Sequence, residues 1–375
     1  MKLRFALLSL LFITATLSFA QAKTELGELG HAKFRIDIPD NWNHGLVVYC
    51  HGYSAEPGTF TNKELPKALA VFVKAGYALV QSGYSQGGWA VEQAIPETEA
   101  LRRYFISKYG KPKVTYLTGH SMGGFITMAM IEKYPDVYDA GLPLCGPLAA
   151  SSWFMQHYAF DLHVIFDYYF PGALPAPAKV PADYKMTDDL RKSLRELLDS
   201  KPDAAAVMRE LTDVHNNRDL ANGLVFGTYV LKDIQQRSGG NPFDNRFTIY
   251  TGTPDDNALN DHVQRYAADP GALSYLQRFY TPTGKLARPM LAIHTTYDPT
   301  VAPAIPNMYA LLARETGKAD LFVQQYVKHD GHCNISPEET ARGFDELRAW
   351  KEKGTRPQPG SITVEKKPEA GANGG

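Results

Sequence analysis

Hydrophobic and polar positions along the chain switch between two rhythms. Residues 33–38 (Lys-Phe-Arg-Ile-Asp-Ile) alternate with the period of a half-buried strand. Residues 46–50 (Leu-Val-Val-Tyr-Cys), 77–81, 114–118 (Val-Thr-Tyr-Leu-Thr), 140–145, 289–294 (Pro-Met-Leu-Ala-Ile-His) and 321–327 are short, largely apolar runs, as in the buried strands of a parallel sheet. Helical stretches fall at 62–75, 91–109 and 124–134, closed by Gly76, Gly110 and Pro135. Strands alternating with helices of this length predict an α/β fold, a doubly wound and mostly parallel sheet with right-handed crossovers.

One stretch breaks the rhythm. From about Pro147 to Leu286 no strand–helix alternation is visible, and residues 186–200, 203–214 and 218–236 read as helices. This predicts a mainly helical cap at 147–286, inserted into a core formed by 24–146 and 287–354. Residues 153–170 are crowded with aromatic rings, starting at Trp153. Packing of cap on core accounts for most of them, and some can line an apolar pocket. Residues 355–375, rich in Pro, Gly, Lys and Glu, predict a disordered tail.

Composition narrows the function. Hydrophobic residues are 44 % and charged residues 21 % of the 375, an ordinary globular balance. Lys plus Arg is 39 against 40 for Asp plus Glu, so no basic excess exists to neutralise nucleic-acid phosphates. Met1–Ala20 has a basic start at Lys2 and Arg4, an apolar run over 5–17 and small residues at its end. This predicts a cleaved export signal, too short to span a bilayer, and a secreted or periplasmic mature protein free of the membrane. Cys50, Cys145 and Cys333 allow one disulfide and one free thiol, and spacing does not choose the pair. His-Glu-x-x-His, Cys-x-x-Cys, P-loop and dinucleotide fingerprints do not occur, so no metal or cofactor is expected.

Gly-x-Ser-x-Gly occurs twice, around Ser85 and around Ser121. The motif presents a nucleophile when the serine sits on a tight strand-to-helix turn. Ser121 meets this requirement, because the strand at 114–118 ends just before Gly119 and a helix starts at about Gly124. At Ser85 the run Gly87-Gly88-Trp89 delays the next helix. Ser121 is therefore the predicted nucleophile and Ser85 a Gly-rich turn at the rim. Trp89, His120 and Trp153 are candidate substrate contacts.

The elements Val-Val-Tyr-Cys-His51-Gly52-Tyr53, Gly-His-Ser121-Met-Gly-Gly, His294-Thr-Thr-Tyr-Asp298-Pro and Asp330-Gly-His332-Cys follow one another in this order. Together they resemble the α/β-hydrolase superfamily over residues 33–350, most of the cap excluded. The resemblance implies Asp298 as the acid after the strand that follows the cap, and His332 as the base. His332 would take the Ser121 proton and Asp298 would orient and stabilise the imidazolium. The backbone N–H groups of Tyr53 and Met122 would receive the oxyanion. A serine nucleophile forms an acyl-enzyme, unlike relatives that carry Asp at that position.

In tannase and feruloyl-esterase relatives a cysteine after the histidine bonds a cysteine before the serine. Here His120 precedes Ser121, a departure from that pattern. Cys145 and Cys50 are both open as partners of Cys333, and so is a fully reduced state. The leading functional reading is a secreted serine hydrolase acting on carboxylic esters. A serine peptidase or amidase with the same triad is the alternative. A polyester depolymerase fits less well, because a cap hinders access to solid polymer. A non-catalytic binding protein fits less well because the triad is intact. The expected partner is a small ester or peptide substrate; oligomeric state is not legible in the sequence.

Overall fold

The computed structural model describes residues 23–362. The export signal expected at 1–20 lies outside the described residues. Nine strands form one sheet: β1 (Lys23–Leu29), β2 (Ala32–Ile38), β3 (Gly45–Cys50), β4 (Ala78–Ser82), β5 (Val114–His120), β6 (Ala140–Leu144), β7 (Met290–Tyr297), β8 (Phe322–Asp330) and β9 (Gly360–Ile362). Their order is β1-β2-β4-β3-β5-β6-β7-β8-β9. The β1/β2 and β2/β4 pairs are antiparallel, and every pair from β4/β3 to β8/β9 is parallel. The mostly parallel, doubly wound sheet expected from the alternation is thus present.

Helices α1 (Lys67–Lys74), α2 (Val91–Tyr109) and α3 (Met122–Lys133) belong to the first half of the core. The helix expected over 62–75 starts only at Lys67, because Pro66 stands at its N-cap and proline disfavours helical backbone before it. α3 is apolar around its whole circumference, and every residue from Met122 to Ile131 is buried. Seven helices separate β6 from β7: α4 (Ser151–Met155), α5 (Leu162–Tyr169), α6 (Asp188–Ser200), α7 (Pro202–Thr212), α8 (Asn217–Ser238), α9 (Asp256–His262) and α10 (Pro270–Arg278). A π-helical turn, Gln156–Asp161, joins α4 to α5. After β7 come α11 (Asn307–Glu315) and α12 (Pro337–Lys353). α12 opens on a capping box in which Ser336 and Glu339 satisfy each other's backbone N–H groups. Among the described residues no helix is long and apolar enough to cross a membrane.

The disordered tail expected over 355–375 is corrected for its first part. Gly360–Ile362 pair with Gln325–Val327 of β8. Gln325 Nε2 donates to the Gln358 carbonyl (2.8 Å), and Arg356 donates to the Phe322 carbonyl (2.9 Å). β8 would otherwise be an edge strand with unpaired backbone groups, and the tail satisfies them. Residues 363–375 lie outside the described residues.

α8 is pinned at both ends. Near its start, Tyr297 OH donates to Asp219 Oδ2 (2.9 Å) and accepts from the His215 N–H (3.1 Å). Towards its end, Asp233 accepts from the Trp89 N–H (2.6 Å), and Arg237 pairs with Asp233 (2.9 Å) and bonds the Gly87 carbonyl. Burial raises the Asp233 pKa against the pull of Arg237. The helix is held across the C-terminal edge of the parallel strands, where α/β sheets bind ligands.

Candidate active site

Ser121 stands between the central strand β5 and α3 with φ 56° and ψ −122°, a conformation L-residues avoid. The glycines of its motif have a steric cause. A Cβ on Gly123 would collide with the Cys50 carbonyl at the end of β3, and one on Gly119 would meet both Cys50 and Gly123. Only with bare Cα atoms can this turn press against the neighbouring strand. In the other motif the positive φ falls one residue earlier, on Tyr84 (51°), and the Ser85 N–H donates to Glu97 (2.8 Å). Ser85 faces a separate polar pocket shared with Lys232 and Asp233.

Three side chains named from the sequence meet at the strand ends. His332 Nε2 lies 2.8 Å from Ser121 Oγ, and His332 Nδ1 lies 2.7 Å from Asp298 Oδ2. Asp298 follows β7 directly, and its Oδ1 accepts the Thr300 and Val301 N–H groups, both at 2.9 Å. The Gly331 N–H donates to the Tyr297 carbonyl (2.9 Å), tying the His332 loop to the Asp298 turn. Burial by itself raises the Asp298 pKa. The hydrogen bond and charge of His332, the Val301 N–H and the charge of His294 outweigh it, so the carboxyl sits below its usual range. Such a chain of bonds can move a proton from a hydroxyl to an imidazole whose charge the carboxylate then balances.

A model of the alpha/beta hydrolase family matches residues 47–343. The chain belongs to the alpha/beta hydrolase family. Among solved structures of similar fold, the rice cell wall degrading esterase LipA from Xanthomonas oryzae is 15 % identical, covering 86 % of this chain and 84 % of its own, with a TM-score of 0.43. An esterase from Pyrococcus furiosus is 12 % identical over 88 % of this chain and 91 % of its own (TM-score 0.46). The acylaminoacyl peptidase of Pyrococcus horikoshii is 12 % identical, covering 90 % of this chain and 42 % of its own (TM-score 0.48). No activity is carried over from them. Comparison with curated proteins returns no match.

In this alpha/beta hydrolase a cavity of about 90 Å³ opens beside Ser121, Met122 and Asp298. Phe154, Tyr158 and Leu162 of the helical insertion form part of its wall, and α8 contributes Leu220, Phe226 and Val230. Tyr53, Gly52 and His332 line a more open cleft of about 320 Å³ that also reaches Ser121. Met122 opens α3, so its N–H has no acceptor within the helix. Trp89 lines the cavity, its indole N–H directed to Ser151 Oγ (3.3 Å).

Two of the expected substrate contacts are placed elsewhere. Trp153 packs edge-on against His157 and Tyr158 and is not among the cavity residues. The His120 ring turns away towards Tyr49 OH (3.2 Å). A residue next to Ser121 at the strand end points to the opposite face of the sheet. Burial, with a smaller effect from the charge of His332, pushes the His120 pKa down to about 4, so it is neutral at neutral pH. His294 was part of the recognised motif but had no role assigned. It is buried with Nε2 3.8 Å from Asp298 Oδ2 and no hydrogen-bond partner there. The cavity face of α8 was also missed. Its residues recur at helical spacing, a visible signal, but spacing does not say what a face covers.

The disulfide question is settled as Cys145–Cys333, with Cα atoms 5.2 Å apart and a sequence separation of 188. Cys50 is buried and free, and burial pushes its thiol up to about 12. The bridge joins the end of β6 to the residue after His332. Cys145→Ser is expected to lower unfolding free energy by about 2–5 kcal/mol in denaturant titrations, and to lower kcat more than it changes KM.

Proposed function

We propose that this alpha/beta hydrolase is a serine carboxylic-ester hydrolase with Ser121, His332 and Asp298 as its triad. The observation that carries the reading is the unbroken chain of short hydrogen bonds from Ser121 Oγ through His332 to a buried Asp298. Ser121 Oγ attacks the ester carbonyl while His332 Nε2 accepts its proton. The N–H groups of Tyr53 and Met122 receive the oxyanion. His332 returns the proton to the departing alcohol, leaving an acyl-Ser121. Water, deprotonated by His332, then releases the acid and restores the hydroxyl. The apolar cavity wall supports an acyl group that is apolar next to its carbonyl. We also propose export, with residues 1–20 removed; the Cys145–Cys333 bridge supports an oxidising compartment.

The test is labelling by a fluorophosphonate, together with hydrolysis of p-nitrophenyl acetate and of peptide anilides. The expected result is one adduct, on the peptide containing Ser121, and turnover of the acetate far above the anilides. An adduct on Ser85, or none, would overturn the assignment. Anilide turnover matching the ester would make the protein a peptidase.

A further inference from the structure

We infer that Gly223 of α8 holds open a passage from the active-site cavity to a polar vestibule, so that the enzyme accepts acyl groups with an uncharged, hydroxyl- or amide-bearing end. The inference rests on the ester-hydrolase reading for the reaction and on separate geometry for the passage. At about 90 Å³ the cavity is smaller than the roughly 150 Å³ that holds one benzene ring, so an acyl chain of any length must leave it. A second cavity begins where this one ends. The two share Asp219, Gly223 and Phe226 of α8 with Pro299 and Thr300 of the turn after Asp298. Beyond that shared wall the lining becomes polar, with Asn222, Arg191 and Asp188.

Gly223 has no local reason to be glycine. It lies inside a 22-residue helix and is absent from the positive-φ positions. A Cβ there would meet only the Pro299 carbonyl, at 3.8 Å, an ordinary contact. Glycine weakens a helix interior relative to alanine, so local stability favours a side chain at this position. Gly227, one turn later, differs: a Cβ there would press on the buried His163 ring at 2.8 Å. The room at Gly223 is therefore left towards the gap between α8 and Pro299. α8 cannot swing to close or widen that gap freely, being held at Asp219 and at Asp233.

The far side sets the chemistry of the chain end. Arg191 pairs with Asp188 (2.9 Å), so the vestibule carries no unopposed positive charge. The Asp219 carboxylate at the gap disfavours an anionic group on its way through. Hydroxyl and amide groups suit the remaining donors and acceptors, Asn222 among them.

The experiment compares wild type, Gly223→Ala and Gly223→Phe. Substrates are p-nitrophenyl acetate, octanoate and 8-hydroxyoctanoate; calorimetry with 8-hydroxyoctanamide reads binding independently of turnover. Gly223→Ala is expected to raise the melting temperature, as helix propensity dictates. Gly223→Phe is expected to lower kcat/KM for both long esters at least about tenfold more than for acetate, through KM. Wild type is expected to prefer the hydroxylated chain to octanoate. Equal losses on short and long esters, or none, would overturn the passage. A preference for octanoate would overturn the polar vestibule. If wild type hydrolyses no ester the ester reading fails, and calorimetry still decides the passage: amide binding lost in Gly223→Phe sustains it, and binding unchanged or absent in wild type refutes it.

Discussion

Ser121→Ala is expected to lower kcat on p-nitrophenyl acetate by roughly 10⁶-fold, with the fold intact. Alanine keeps the backbone and Cβ of the turn and removes only Oγ. That atom is the one His332 Nε2 faces at 2.8 Å. No acyl-enzyme can then form, and what remains is whatever the N–H groups of Tyr53 and Met122 do for direct attack by water. The size of the loss separates this role from a positional one, because removing a merely structural surface hydroxyl changes stability by no more than about 0.5 kcal/mol and leaves turnover near normal. Activity within about tenfold of wild type would mean that another residue is the nucleophile. Ser85 would be next, although its N–H is taken by the Glu97 carboxylate and its motif lacks the Ser121 backbone conformation.

Asp298→Asn is expected to cost about 10⁴-fold in kcat with KM little changed. The surrounding donors dictate how the asparagine sits. Thr300 and Val301 both present N–H groups to Oδ1, so the amide oxygen must take that place. The amide NH₂ then faces His332 Nδ1. That nitrogen must accept, which moves the imidazole proton to Nε2, against Ser121 Oγ. In that tautomer His332 cannot take the serine proton. The same carboxylate gives the protein a pH signature. Its folded pKa is depressed, so its contribution to stability is present above the unfolded value of about 3.9 and is lost as pH falls through the folded value. Urea midpoints of wild type should drop on that acid limb more steeply than those of Asp298→Asn. Parallel curves would mean that Asp298 is not the depressed carboxyl.

The site was legible where local chemistry dictates local shape. Gly119 and Gly123 stand out because backbone meets backbone there, and a strand followed by a helix can be read on either side of them. Asp298 and His332 could be found because each sits just beyond a strand that its own apolar run announces. The second serine motif was separable from the first for the same reason, since Gly87-Gly88-Trp89 does not start a helix. Trp153 and His120 were misjudged because nearness in sequence to a nucleophile, or to an aromatic cluster, carries no direction. Residues 360–362 were misjudged because the partner that orders them, β8, lies more than thirty positions upstream and leaves no mark on their composition.

By itself the sequence determined the strand–helix alternation of the core, the turn that lifts Ser121, and the types of residue available for proton transfer. These follow from short-range sterics and from a periodicity of two or 3.6 residues. Only the tertiary structure decided that Cys145 rather than Cys50 reaches Cys333, that α8 rather than Trp153 walls the cavity, and that Gly223 faces Pro299. Those outcomes depend on where elements far apart in the chain come to rest. One apolar stripe on a helix packs against many surfaces equally well until the sheet, its twist and the anchors at Tyr297 and Trp89 select one.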